Sequence, residues 1–261
     1  MQYNDIMTKS KKKTDSEIMS DKSPLKIAKN QPILALKPTQ FAIGVAEVEF
    51  KAHELKNLNK RKLKKEIGSR PIQVVVAPWG DLYVVDHHHW LFACWHIKIN
   101  RLPIEIVKDY SHRKMTYSAF WRQMSKRNFA YLYDQFGEGP RNPLYLPLDV
   151  RGLADDPYRS LAWIVRKEGA FNNCDESFAE FQWADFFRKE KLLESHGRQG
   201  LHRAVKKAFK LARSSRARNL PGFIKIKQKK KKLKIPVKSK FIHKPKTTGP
   251  LASLPDVEVR T

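Results

Sequence analysis

A chain of 261 residues that is 41% hydrophobic is long enough for one large domain, or one domain with extensions, and can bury a core. No run approaches the ~20 apolar residues of a membrane span, and Cys94 and Cys174 stand far apart in no ligand pair; this argues against a disulfide framework and a cysteine zinc site, and reads as a reducing, cytoplasmic setting. The net charge of +26 is concentrated: Arg188 to Lys246 holds 22 basic and 2 acidic residues against 22 and 18 over residues 31–187, so a nearly neutral body carries a basic extension of the kind that binds polyanions, nucleic acid first among them.

Residues 1–30 are polar, rich in Lys, Ser and Asp, and lack the apolar stretch of a signal peptide; they read as disordered. Order is expected from "PILALKPTQFAIG" onward. In "VAEVEFKAHELKNL", Val45, Val48, Ala52 and Leu55 recur at three- and four-residue steps, which predicts a helix. "PIQVVVAPWGDLYVVD" reads as two strands joined by a turn at Pro78, Gly80 and Asp81. "WLFACWHIKI" follows as a buried helix and "LPIEIVKDY" as a strand, completing an α/β unit assigned to residues 31–110.

The next unit, residues 111–223, reads as helical. "SAFWRQMSKRNF" is amphipathic and aromatic. "ADDPYRSLAWIVRKEG" has Asp155 or Asp156 as a helix cap, Pro157 in the first turn and Gly169 at the end. "SFAEFQWADFFRKEKLLES" opens on Ser177 with Glu180 three residues on, the spacing of a capping box. "LHRAVKKAFKLARSSRA" sets Leu201, Val205, Ala208 and Phe209 on one face and Arg203, Lys206, Lys207 and Lys210 on the other. Residues 224–261 show no burial pattern and read as a disordered basic tail, although "FIKIK" could extend briefly as a strand. Arg203, Lys206, Lys207, Lys210, Arg213 and Lys229, Lys230, Lys231 and Lys232 are the candidate nucleic-acid contacts.

The stretch "VVDHHHW" places Asp86, His87, His88 and His89 between a strand and a helix. Free N–H groups and the positive dipole end make such a turn an anion site. An imidazole there donates to a phosphate or moves a proton near neutral pH, and Asp86 can orient a histidine, cap the helix or hold a divalent ion. The plainer alternative is an Asp86 that only caps and a histidine packed inside. No histidine pair has the four-residue spacing of helical zinc ligands, so no metal ligands are assigned; a Mg²⁺ carried in with a phosphate substrate stays open. Arg159 in "DDPYRS" can grip a phosphate bidentately, or pair with Asp155 or Asp156. No glycine-rich Walker loop is present.

"LYVVDHHHWLFACWHIKINRLPIEIV" resembles the core of the ParB/sulfiredoxin superfold, in which a strand ends in an Asp-Gly-His-His-Arg-like turn before a helix and a further strand. "LKPTQFAIGVAEV", "DDPYRSLAWIVRKEGAF", "FAEFQWADFFR" and "NLPGF", in this order, make the chain resemble the ParB-like nuclease family. The resemblance implies an α+β fold, a small mixed sheet flanked by helices with a helical C-terminal part, and a nuclease or nucleic-acid-binding protein acting on phosphate esters. Where glycine and arginine stand in partition proteins this turn has His87, His88, His89 and Trp90. A second branch of the superfold, the nucleotide-dependent free-serine kinases, has a glutamate early in the first helix, and Glu47 falls at the comparable place. That likeness implies Glu47 as a general base and His88 or His89 as a phosphate contact, with a nucleotide as partner; the alternative is an ordinary carboxylate favoured by the helix dipole. The candidate catalytic set is Glu47, Asp86, His88 and His89, and the candidate phosphate-binding residues are His87 and Arg159.

Overall fold

In the computed structural model, which describes residues 26–193 and 197–225, the β-branched runs form a five-stranded mixed sheet and the periodic runs pack around it. Chain order is β1 (Lys26–Pro32), β2 (Leu36–Pro38), β3 (Ala42–Ile43), α1 (Val45–Lys56), α2 (Lys60–Ser69), β4 (Ile72–Val76), β5 (Leu82–Val84), α3 (His88–His96), β6 (Arg101–Asp109), α4 (Tyr117–Lys126), β7 (Ala154–Asp155), α5 (Pro157–Lys167), α6 (Ala179–Lys189) and α7 (Gly197–Ala212). The sheet runs β1-β6-β4-β5-β2, with β3 and β7 as a separate two-stranded pair. The expected hairpin is β4 and β5, antiparallel with Val74 opposite Val84, and Gly80 turns it at φ 89°, a conformation that favours glycine. β6 lies parallel to β4 on its other side, and β2 lies parallel to β5.

Three cores follow from this layering. Val74 and Val84 face one side of the sheet, where α1 and α3 bury Val48, Leu55, Trp90 and Leu91. Val75 and Tyr83 face the other, against Phe120, Trp121 and Met124 of α4 and Tyr110. The third core joins α5, α6 and α7 through Leu161, Trp163, Trp183, Phe187, Val205 and Phe209. The sheet and the helices α5 to α7 are joined where β3 pairs with β7 and where Phe50 of α1 lies 5.3 Å from Trp163 of α5, among other contacts.

Several local expectations need correcting. β1 begins at Lys26, inside the segment read as disordered, because Lys26–Ala28 pair with β6. α2 was not anticipated; its sequence buries nothing fully, and the helix is set by the Asn59 cap, whose side chain accepts from the Lys62 N–H, with Leu63 and Ile67 resting on the core. In α6 the residue before the first turn is Phe178 at φ 59°, not Ser177, and no side chain caps it. In α5 the cap is Asp156, which accepts from the Tyr158 and Arg159 N–H groups. Phe223 to Lys225 of "FIKIK" form no strand, and Ile226, Lys227 and all of the tail beyond lie outside the described residues.

Candidate functional site

A cleft of about 700 Å³ opens where β5 ends and α3 begins. α1 contributes Glu47 and Lys51 to its wall, the turn and α3 contribute Asp86 to Trp90, α5 contributes Arg159 and Arg166, and residues 173–181 close one side.

The turn differs from its sequence reading in one respect. His88 and His89 are the first two helical residues of α3, and His87 is the residue before them, held left-handed at φ 68° and ψ 25°. Asp86 caps nothing on α3: its Oδ1 accepts the neighbouring His87 N–H at 2.6 Å and its side chain is largely exposed. His87 is half-buried and its Nδ1 lies 3.3 Å from the Pro71 carbonyl. The N-terminus of α3 therefore has no side-chain cap and faces the cleft.

His88 and His89 are buried, and each accepts a backbone proton on Nε2. Thr39 N–H donates to His88 at 3.1 Å, and Gly44 N–H donates to His89 at 3.0 Å. Both rings must then carry their own proton on Nδ1 and be neutral. Burial pushes the His88 imidazolium down to about 3. Burial likewise holds His89 well below its ordinary value, against the opposing pull of Glu47. The pair fixes the β2–α1 segment onto α3, and Gly44 belongs to the same seam: a Cβ there would meet the Ser160 backbone nitrogen at 2.9 Å.

α1 begins without a cap of its own, since Gly44 has no side chain, and residues from the far unit serve it. Asp155 Oδ1 accepts the Val45 N–H at 3.1 Å and Ser160 Oγ accepts the Ala46 N–H at 3.2 Å. Glu47, in the first turn, is buried at the cleft wall. Its carboxylate meets Lys51 and, at 2.9 Å, Arg159, and its Oε2 lies 3.7 Å from His89 Nε2. Arg159 in turn pairs with Glu180, whose other oxygen takes Arg166. Burial alone would raise the Glu47 carboxyl, but the Arg159 and Lys51 cations hold it well below the usual carboxylate range. Glu47 is thus an ionised acceptor, and Arg159 is a cation with a carboxylate on each side.

Several donors around the cleft are buried without an acceptor: Gln40 Nε2, Trp90 Nε1, and Nε and Nη1 of Arg159. The Phe181 ring lies 5.5 Å from the Arg159 guanidinium, and the Arg70 guanidinium lies 5.1 Å over Trp90. Among the described residues no three of His, Cys, Asp and Glu are grouped to hold a metal ion. Both cysteines are free; Cys94 is buried, and Cys174 is at the cleft wall.

The structure brings together Glu47, His89 and Arg159, with His87 and His88 beside them, and leaves Asp86 at the edge. It sets the basic candidates apart from the cleft: Arg203, Lys206, Lys207 and Lys210 are exposed on α7. Arg213 donates to the Gly169 carbonyl at 3.1 Å and lies over Phe209, and Lys229, Lys230, Lys231 and Lys232 fall outside the described residues. Lys51, Arg166 and Glu180 went unread in the sequence as site residues. Two of them had a signal: Lys51 is four residues after Glu47, and Arg166 is seven after Arg159, spacings that share a helix face.

With this geometry in hand, comparisons place the chain. A family model described as "Putative ParB-like nuclease" matches residues 29–189. The crystal structure of protein Atu1540 from Agrobacterium tumefaciens superposes with a TM-score of 0.68 at 32% identity, covering 77% of this chain and 98% of that one. No curated protein matches.

Proposed function

The chain belongs to the ParB-like nuclease family, and from that premise we propose that it acts on a phosphate ester of a nucleic acid or nucleotide held in the cleft. One observation carries the reading. The cleft wall joins an uncapped helix N-terminus to buried donors without acceptors on Gln40, Trp90 and Arg159, a surface that offers protons and lacks partners to take them. Phosphate oxygens, acceptors only, are its chemical complement.

The proposed roles follow from the charge states. Arg159, held by Glu47 and Glu180, faces the charge that grows on the phosphoryl oxygens. His87, with the N–H groups of α3, takes a phosphate oxygen. Glu47 accepts a hydrogen bond from the attacking water or hydroxyl; the new P–O bond forms as the old one breaks, and the proton released by the attacking oxygen passes to the departing oxygen or to solvent water. His88 and His89 supply Nδ1–H donors and the rigid seam, since both Nε2 atoms are occupied. Since no three of His, Cys, Asp and Glu are grouped as ligands among the described residues, a Mg²⁺ would enter with the ligand, and Asp86 is the exposed carboxylate at the edge that would meet it. The exposed α7 face, Arg203, Lys206, Lys207 and Lys210, supports a nucleic-acid partner by charge.

A second reading is favoured by the size of the cleft. About 700 Å³ is the volume of a small-molecule site, which suits transfer of a phosphoryl group from a nucleotide to a small hydroxyl acceptor facing Glu47.

The test uses protein cleared of contaminating nuclease and assayed with DNA, RNA, and nucleoside triphosphates plus free serine, with and without Mg²⁺. Glu47→Gln and Arg159→Lys, at equal folded concentration, are expected to lower whichever turnover is found by about 100-fold or more. Turnover that survives both substitutions removes the cleft from the chemistry. A wild-type protein that neither turns over nor binds any of these compounds ends both readings.

A further inference from the structure

Helix α2 is an electrostatic oddity. Five of its first six residues, Lys60, Arg61, Lys62, Lys64 and Lys65, are cations, and all five are exposed. Among the described residues none of them forms an ion pair; the nearest acid, Glu66, is taken by Arg70 at 2.8 Å. At about 100° per residue they fan across roughly 200° of the helix, opposite Leu63 and Ile67, which rest on the core. They also sit at the wrong end for the helix itself. The first turn holds no acid, so the cations add to the positive end of the dipole instead of opposing it. Like charges packed in one and a half turns destabilise a helix, and a helix that buries no residue has little packing to offset them.

We infer that α2 is a docking face for the phosphate backbone of a nucleic acid, leading to the cleft. The inference extends the reading above to a surface which that reading does not use. A polyanion relieves both penalties at once, since each phosphate neutralises a cation and meets the positive helix end. Two observations choose nucleic acid among polyanions. The exposed side of α2 carries no apolar or aromatic residue to insert into a bilayer, because its two apolar residues face inward. The second is position: Arg70, the residue after α2, lies over Trp90 and both line the cleft, so the C-terminal end of α2 meets the cleft rim.

The experiment compares the full-length protein with two variants of equal charge. One carries Lys60→Gln, Arg61→Gln, Lys64→Gln and Lys65→Gln; the control carries Lys98→Gln, Lys114→Gln, Arg122→Gln and Lys126→Gln, four cations exposed elsewhere. Binding to a fluorescent duplex and to the same strand unpaired is measured by anisotropy across a salt series, and to vesicles with and without anionic lipid by sedimentation. The α2 variant is expected to lose about tenfold or more in nucleic-acid affinity near physiological salt, and to lower the log–log salt slope by roughly 2 to 3, while the control shifts little. Its circular dichroism should match wild type. Equal losses in the two variants would mean net charge alone and overturn the proposal, as would unchanged nucleic-acid binding or a loss confined to anionic vesicles. Ligand binding in the cleft is read separately with a mononucleotide, so a failed cleft reading leaves the α2 result standing and the reverse.

Discussion

Replacing His88 with Gln should make the protein less sensitive to acid. The unfolded imidazole titrates near 6.5, whereas burial holds the folded ring at about 3. Between those values the unfolded chain binds a proton that the folded chain refuses. Stability from this group is therefore full above about pH 6.5 and is lost progressively as the pH falls toward 3. At pH 5 the gap amounts to about 1.5 pH units of linkage, or about 2 kcal/mol, and for a domain of this size about 4–8 °C in Tm. Glutamine keeps an oxygen to accept the Thr39 N–H and has nothing to titrate. The assay is urea unfolding of wild type and His88→Gln at pH 7.5 and pH 5.0, followed by circular dichroism. Wild type should lose about 2 kcal/mol more than the variant between the two conditions, while His89, present in both, cancels. Parallel losses would refute the reasoning. So would an NMR titration of wild type that puts His88 near 6.5, and that measurement holds even if the variant folds poorly.

Arg159→Met leaves Glu47 and Glu180 facing each other without the cation between them, and should cost about 3–5 kcal/mol in thermal or urea unfolding. A loss under 1 kcal/mol would show that the guanidinium is not buried between them. His87→Gly removes a side chain from a left-handed residue, and calorimetry should find the variant more stable by up to about 1 kcal/mol; a clear loss would mean that the contact with Pro71 outweighs the strain. Deleting everything after Phe223 should flatten the salt dependence of nucleic-acid binding by about 0.9 per phosphate contact removed from duplex DNA, and an unchanged slope would free the tail from that role.

Much of the fold was legible because its signals are local. Val45, Val48, Ala52 and Leu55 mark α1, the Pro-Trp-Gly-Asp turn marks the hairpin, and Pro157 after an aspartate marks α5. The family likeness and the α+β sheet could be read from "VVDHHHW" and the strands on each side. The failures are where a distant partner decides. At "KRKLKKEIGS" the Asn59 cap and the four-residue spacing of Leu63 and Ile67 are weak local signals amid five cations, and what settles the helix is the seating of those two side chains on the distant core. Ser177 and Glu180 have capping-box spacing, yet Glu180 goes to Arg159 and Arg166, a stronger match than a backbone N–H. Asp155 and Asp156 both serve helix starts, but different ones, and only the parallel pairing of β3 with β7 explains the first. The histidines were legible as a group; which nitrogen each would spend on which backbone proton was not.

The helix that carries Glu47 starts on groups borrowed from more than a hundred residues downstream, the Asp155 carboxylate and the Ser160 hydroxyl. Modularity is what this forfeits. A fragment ending before residue 150 would expose the Val45 and Ala46 N–H groups and leave the Glu47 carboxylate short of Arg159; a fragment beginning there would hold Arg159 without Glu47. The two parts are then expected to melt together, and a ligand that tightens the cleft will raise the melting point of both at once. Ribosomal synthesis meets the same condition: α1 can reach its final state only after α5 has emerged, so the nascent chain must wait for its second half before its first becomes secure.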